Sequence, residues 1–158
     1  RVLFRSPVEE WTPQIAIGTP VLIPESYVED LGVRLGLYRR IAALVDTTEQ
    51  EAFAAELIDR FGPLPAEVQN LLDVIAIKRL CKQAGIDKID AGPKGAVVSF
   101  RDNRFANPQK LVAYITAHSD EMKVRPDNKL VYVTGWGNAK ERLIGVNRLL
   151  GDLVKLAA

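Results

Sequence analysis

GIDKIDAGPKGAVVSF, residues 85–100, is the stretch that decides the fold class. Upstream of it the apolar residues recur at helical spacing, whereas within it they alternate with polar ones. The two alternating segments, 86–91 and 96–100, are separated by Gly92-Pro93-Lys94-Gly95, which has the composition of a turn. The pattern therefore predicts a β-hairpin that directly follows a helix ending at Gly85.

A second hairpin is predicted nearer the C-terminus. Residues 122–125 and 129–134 form two strand-like segments, and Pro126-Asp127-Asn128 between them has turn composition. Near the N-terminus, residues 15–24 (IAIGTPVLIP) are also rich in β-formers, but a glycine and a proline interrupt them. We expect this N-terminal segment to be an extended arm or an edge strand that lies against the body of the domain.

Five helices are predicted, three before the first hairpin and two after it. Each has apolar residues at helical spacing and a capping residue or a helix breaker at one end, and they span about 31–44, 47–60, 66–84, 108–117 and 138–154. Helices come first along the chain, and strands with two interspersed helices follow. This order predicts an α+β fold in which N-terminal helices pack on a small, mainly antiparallel sheet of two hairpins with two further helices.

Length and composition are typical of one globular domain. The 158 residues are 47% hydrophobic, which supplies one core but leaves a second full domain unlikely. We assign residues 15–158 to a single domain and residues 1–14 to a tail. The chain starts with Arg1 rather than Met, and we interpret residues 1–6 as partly foreign sequence that carries no functional argument.

Charge and cysteine content exclude several classes of protein. A net charge of +1 gives no global reason for attraction to nucleic acid or to an anionic membrane. Cys81 is the only cysteine, so neither an internal disulfide nor a cysteine-rich zinc site can form. No apolar run approaches the roughly 18 to 20 residues of a spanning helix, and no secretory signal is recognisable. We therefore expect a soluble, cytoplasmic protein.

The residue types that usually build an active site are scarce. Cys81 lies among apolar residues of the third predicted helix, where a buried cysteine usually acts as a small hydrophobe. His118, the single histidine, ends a helix, where an imidazolium complements the helix dipole. The glycines around Lys94 lie inside a hairpin rather than before a helix, as a phosphate-binding loop would require. We expect no catalytic residue, no metal site and no cofactor in this fragment.

The middle of the chain is basic, and this leaves an alternative function open. The cations are Lys78, Arg79, Lys82, Lys88, Lys94, Arg101, Arg104 and Lys110. They are either scattered solvated side chains or part of a nucleic-acid-binding module. Trp136, which lies between two glycines, is either an exposed anchor for a partner or a side chain folded back onto the sheet.

The second predicted helix carries an acidic patch. Glu49, Glu51, Glu56 and Asp59 have like charge, and Glu56 and Asp59 lie one turn apart on the same face. A solvated helix face explains Glu49 and Glu51, because the helix dipole favours negative charge near a helix N-terminus. Asp59 near the C-terminus is disfavoured unless Arg60 compensates it. A functional interface on this face is the other interpretation.

Three stretches form a specific set of motifs: VLIPESYV at 21–28, LYRRIA at 37–42 and ELIDRFGPLP at 56–65. Together they resemble the C-terminal domain of bacterial transcription-repair coupling factors, the Mfd family. The resemblance covers most of residues 15–115. Beyond Phe105 it continues only as a pattern of elements.

The resemblance implies a parent protein that translocates on double-stranded DNA at the expense of ATP. Such proteins displace stalled RNA polymerase and recruit the excision-repair protein UvrA. ATP and Mg²⁺ would belong to modules upstream, and this fragment would hold neither. In the family this domain packs against the N-terminal UvrA-binding module of the same chain and covers the surface that UvrA uses. Direct contact with nucleic acid or with a membrane is not expected.

The resemblance also assigns site residues. Glu56 and Asp59 match the family's acidic contacts with arginines of the UvrA-binding module, and Arg60 and Phe61 adjoin them in the same motif. An exposed ion pair contributes only about 0.2 to 1 kcal/mol, so this interface would be weak between separate molecules. Within one chain the effective concentration is on the order of millimolar, which keeps a weak interface mostly closed. The resemblance thus implies an autoinhibitory, salt-sensitive contact with the UvrA-binding module, which opens when DNA or polymerase binds the parent protein.

Overall fold

The computed structural model of the protein describes residues 11–158, and that part of the chain contains five α-helices and five β-strands. The helices are α1 (Leu31–Ala42), α2 (Thr47–Phe61), α3 (Ala66–Ala84), α4 (Pro108–Ala117) and α5 (Ala139–Ala157). The strands are β1 (Gln14–Ala16), β2 (Ile86–Gly92), β3 (Gly95–Phe100), β4 (Met122–Val124) and β5 (Leu130–Val133). The predicted α+β fold class is confirmed, and α3 and α4 have the predicted bounds.

Side-chain caps mark the start of four of the five helices in residues 11–158, whereas α3 begins after Pro65 without one. The Asp46 carboxylate accepts a hydrogen bond from the Glu49 backbone N–H at 2.8 Å, and Asn138 does the same for Glu141 at the start of α5. Each cap satisfies one of the backbone donors that a helix start leaves unpaired. At the other end of α3, Gly85 takes the left-handed conformation, with a φ of 72°, which favours glycine.

The sheet has the order β1-β2-β3-β5-β4. Both predicted hairpins are confirmed, since β2 pairs antiparallel with β3 and β4 pairs antiparallel with β5. Antiparallel pairing of β3 with β5 joins the hairpins into one sheet. At the opposite edge β1 pairs in parallel with β2, with Ile15 opposite Ile89. Only the beginning of the predicted segment 15–24 is therefore an edge strand, since β1 ends at Ala16 and residues 17–24 lie outside the sheet as an arm.

Two hydrophobic clusters make up the core, and α3 contributes to both. The larger cluster lies between the sheet, the second half of α3 and α5, and it includes Ile77, Cys81 and Leu150. The smaller one is formed by α1, α2, the first half of α3 and the arm before α1, and it includes Leu57 and Leu72. One helix thus connects the helical part of the domain to the sheet.

The arm, which we define as residues 17–30, is fastened to the domain at several points. Its Ile23 backbone N–H donates to the Tyr38 hydroxyl at 2.7 Å, and its Thr19 hydroxyl accepts from the Asn70 amide at 2.9 Å. The Arg142 guanidinium of α5 donates to the Ile17 carbonyl oxygen at 3.0 Å. The expectation that this segment lies against the body of the domain is confirmed.

Trp136 folds back onto the domain and is only 7% exposed. Its indole packs edge-on against Tyr132, with ring centroids 5.5 Å apart, and it faces Gly145 of α5. A Cβ atom added at Gly145 would lie 2.5 Å from the indole nitrogen and still closer to the ring carbons. This packing rules out Trp136 as an exposed anchor for a partner.

We predict that Gly145→Ala destabilises the domain although alanine favours helices. Forcing a methyl group into a packed contact costs about 1 to 3 kcal/mol, whereas helix propensity returns about 1 kcal/mol. Urea unfolding should show a net loss of about 1 kcal/mol, the middle of the roughly 0 to 2 kcal/mol that the two contributions leave. Gly151→Ala is the matched control on the same helix, because a Cβ there meets no atom within 4 Å, and it should be neutral or stabilising. Equal effects of the two substitutions would contradict the proposed contact.

Candidate interdomain interface

Helix α2 presents one apolar face to the core and one polar face to solvent. Phe53 and Leu57 are buried in the smaller cluster. On the opposite side Glu51 and Asp59 are exposed, and Ile58 between them is 49% exposed. The α2 face, as we call the surface formed by Glu51, Ile58 and Asp59, therefore combines negative charge with an accessible apolar side chain.

Glu56 is the centre of an ion-pair network beside the α2 face. Its two carboxylate oxygens each accept a hydrogen bond from the Arg40 guanidinium of α1, both at 2.6 Å. A third bond comes from the Arg60 guanidinium at 3.1 Å, one helical turn further along α2. The Arg40 bonds, followed by the Arg60 bond, lower the pKa of Glu56 from 4.5 to about 2. Bidentate pairing of this kind fixes both side chains in one geometry.

The two arginines also stack on aromatic rings. The Arg40 guanidinium carbon lies 4.9 Å from the centre of the Phe53 ring, and that of Arg60 lies 4.8 Å from the Phe61 ring. These contacts add cation–π attraction to the ion pairs and keep the guanidinium groups close to the helix surface. Phe61 in turn packs on Tyr27 of the arm, with ring centroids 5.7 Å apart.

Tyr27 fixes the end of α2. Its hydroxyl oxygen lies 2.7 Å from the Gly62 carbonyl oxygen and 3.1 Å from that of Leu57, within reach to donate to either. It therefore satisfies a carbonyl group that the helix end leaves free. Neither Tyr27 nor Arg40 was among the predicted site residues. Tyr27 belongs to the VLIPESYV motif and Arg40 to the LYRRIA motif. Both motifs therefore contact the ELIDRFGPLP motif in the folded domain.

Asp59 differs from Glu56 in having no partner within residues 11–158. It is exposed and makes no ion pair or side-chain hydrogen bond with any of those residues. The Arg60 guanidinium, which the sequence suggested as compensation for Asp59, pairs with Glu56 instead. Of the two predicted carboxylates, Asp59 is the one whose oxygens remain available to a partner, whereas Glu56 already accepts three bonds. Their role in an interdomain contact remains a prediction.

Cys81 and His118 occupy structural positions. Cys81 is fully buried, and burial raises the pKa of its thiol to about 12, so the reactive thiolate is strongly disfavoured. The His118 Nδ1 atom lies 2.8 Å from the Tyr114 carbonyl oxygen at the end of α4. Among the described residues there is no group of three His, Cys, Asp or Glu side chains arranged to hold a metal ion. No helix in that part of the chain is long and apolar enough to cross a bilayer.

The basic residues of the middle segment do not gather around an exposed aromatic side chain at Trp136, because that residue is buried. Lys88 pairs with Asp90 on β2 at 3.4 Å, and Lys94 lies in the hairpin turn between β2 and β3. Lys110 belongs to α4. The other five cations lie closer together, because Lys78, Arg79 and Lys82 line one groove. Lys82 also lines an adjoining pocket with Arg101, Arg104 and Trp11. Trp136 takes no part in a nucleic-acid module, but such a module built on these basic residues remains a prediction.

The fold and the α2 face together define the class of protein: an α+β domain in which helices flank a five-stranded mixed sheet and one helix displays an organised charged surface. The model of the family described as the TRCF domain matches residues 17–111. The chain therefore belongs to the TRCF domain family, and the similarity to the C-terminal domain of transcription-repair coupling factors is confirmed.

Relatives and a solved structure extend the similarity beyond the matched region. The chain is 41% identical over 145 residues to a transcription-repair-coupling factor of Rickettsia conorii, with 92% of the chain covered, and 28% identical over 140 residues to that of Escherichia coli, with 89% covered. It spans only 13% and 12% of their lengths. A crystal structure of the C-terminal domain of transcription-repair coupling factor matches the fold with a TM-score of 0.76 at 20% identity, covering 93% of this chain and 94% of that one.

We predict that Glu56→Gln destabilises the domain at neutral pH but not in strong acid. Because the pKa of Glu56 in the folded state, about 2, lies below its ordinary value of 4.5, its carboxylate stabilises the fold above pH 4.5, and the contribution disappears as the pH falls towards 2. Urea unfolding of both proteins between pH 6 and pH 2 should show the two stabilities converging across that interval.

Glu51→Gln is the control for this measurement, since Glu51 lies on the same helix and makes no ion pair within residues 11–158. It should show no convergence of this kind. A carboxyl titration of Glu56 by NMR with a midpoint near 4.5 would show that the network does not form in solution.

Proposed function

We propose that this domain is a non-catalytic regulatory module of a cytoplasmic transcription-repair coupling factor. In this proposal it docks on the N-terminal UvrA-binding module of its own parent chain and keeps that module closed. The parent would use ATP and Mg²⁺ to translocate on DNA, act on stalled RNA polymerase and pass the lesion to UvrA. Membership of the TRCF domain family supports the parentage, and the α2 face supports the docking.

The single observation that carries the docking proposal is the availability of Asp59. An exposed carboxylate without a partner in the described chain, next to a half-exposed Ile58, is suited to an arginine that approaches over an apolar contact. The helix below it is held rigidly, because Leu57 is buried and Tyr27 fixes its end. The Asp59 backbone therefore loses little conformational freedom when the carboxylate binds.

Glu56 would act on the same interface indirectly. Arg40 and Arg60 stand beside the α2 face, and without Glu56 their two positive charges would repel incoming arginines. The Glu56 carboxylate offsets part of the positive charge of the two arginines, so the electrostatic potential around Asp59 stays negative. Removing Glu56 would therefore weaken docking even if its oxygens never touch the partner.

The weakness of such contacts suits a switch. An exposed pair contributes about 0.2 to 1 kcal/mol, which is too little for a stable complex between separate molecules. Tethering in one chain raises the effective concentration to roughly millimolar and keeps the interface mostly closed. A modest differential interaction of the parent with DNA or polymerase would then be enough to shift the population to the open state.

We predict that Asp59→Lys in the full-length parent raises UvrA binding. Loss of attraction and gain of repulsion at one exposed position should increase the open population up to about tenfold, which corresponds to roughly 1.4 kcal/mol. UvrA affinity measured by calorimetry, basal ATPase rate and DNA binding should all rise, and Asp59→Lys combined with Glu56→Lys should raise them further.

Asp120→Lys is the matched control, because it makes the same charge change on an exposed turn between α4 and β4. It should leave UvrA binding unchanged. The docking proposal fails if the double variant binds UvrA no better than the native parent.

A further inference from the structure

A second charged surface lies beside the C-terminal half of α3, and it has the opposite sign. A groove of about 520 Å³ runs between this half of α3 and the segment that follows α1. Its apolar side is formed by Leu44, Val45 and Ile75, and its basic side by Lys78, Arg79 and Lys82. We refer to it as the α3 groove. No acidic residue of the described chain lines it.

Arg79 in this groove has an unsatisfied donor. Its Nη2 atom donates to the Gln50 side-chain oxygen at 2.7 Å, and Gln50 donates onward to the Leu72 carbonyl oxygen at 3.1 Å. Its Nη1 atom is buried and has no hydrogen-bond partner within residues 11–158. No carboxylate of those residues forms an ion pair with Arg79. A buried guanidinium donor without an acceptor is unfavourable, and a negative charge nearby would offset part of that cost electrostatically.

The apolar side of the groove is accessible as well. Val45 is 64% exposed at the connection between α1 and α2, and Leu44 and Ile75 continue the same wall. An accessible apolar wall facing three cations is complementary to a ligand with carboxylates on one side and aliphatic groups on the other.

We propose that the α3 groove binds an acidic peptide segment of a partner protein in which leucine-like side chains alternate with carboxylates. Lys78 and Lys82 pair with carboxylates at the rim, the Arg79 guanidinium adds its positive charge, and an aliphatic side chain covers Val45. A peptide fits better than a nucleic acid, because half of the groove wall is apolar. The Trp11 ring near Lys82 does not line the groove and lies under the Arg101 guanidinium, 4.7 Å away, rather than open for base stacking. This site is separate from the α2 face and selects ligands of the opposite charge.

The test is a titration of the intact domain with a fluorescein-labelled probe peptide, Glu-Glu-Leu-Leu-Glu-Glu-Leu, followed by fluorescence anisotropy at low salt. We expect saturable binding that weakens as salt is added. Lys78→Glu combined with Lys82→Glu should weaken it at least tenfold, and Val45→Asp should weaken it comparably. Lys94→Glu combined with Lys123→Glu makes the same charge change on other exposed positions and should leave the affinity within twofold.

Four outcomes would overturn the inference. These are the absence of binding, equal binding of the peptide with every Glu replaced by Gln, tighter binding of a 12-base-pair duplex through the same two lysines, and self-association in sedimentation that the same variants abolish. Asp59→Lys should leave peptide binding unchanged. Failure of the α3 groove is therefore distinguishable from failure of the docking proposed for the α2 face.

Discussion

The whole domain depends on α3, because each half of this helix is buried in a different hydrophobic cluster. Val68 and Leu72 in its first half complete the cluster with α1 and α2, and Ile77 and Cys81 in its second half complete the cluster with the sheet and α5. Neither cluster closes without this helix. The position of α2, and with it the geometry of every charge on the α2 face, is therefore set by apolar contacts rather than by the charges themselves, which are individually weak.

The negative and positive charges that remain available to partners lie on two different surfaces of this domain. The α2 face leaves Asp59 available, while the Glu56 network gathers two arginines that would otherwise oppose an arginine-bearing partner. The α3 groove gathers cations with no carboxylate among its lining residues. Although the net charge is only +1, two surfaces with opposite preferences follow from where the chain pairs its ions and where it does not. The net charge does not reveal these surfaces, because which charges form ion pairs depends on the three-dimensional structure.

The sequence predicted the elements well because their ends are encoded locally. Capping residues such as Asn138, the glycine after α3 and the hairpin turn at 92–95 each act within a few residues, so the bounds could be read directly. Contacts distant in the sequence could not be predicted in this way. The parallel pairing of β1 with β2 and the Arg40–Glu56 pair join segments that no local rule relates. The burial of Trp136 remained open for the same reason, since it depends on the absence of a side chain at Gly145.

The Arg142 guanidinium binds a residue 125 positions away, since one of its nitrogens donates to the Ile17 carbonyl oxygen, and another donates to that of Trp136. Such a contact can form only after almost the whole chain has been synthesised. The arm precedes the helices of this domain and can contact α1 and α3 early, but its Ile17 end must wait for α5 before this bond forms. Closure of the arm at Ile17 is consequently a late event in vectorial folding, and a chain that is truncated before α5 lacks this support beside β1, the strand that covers the edge of β2.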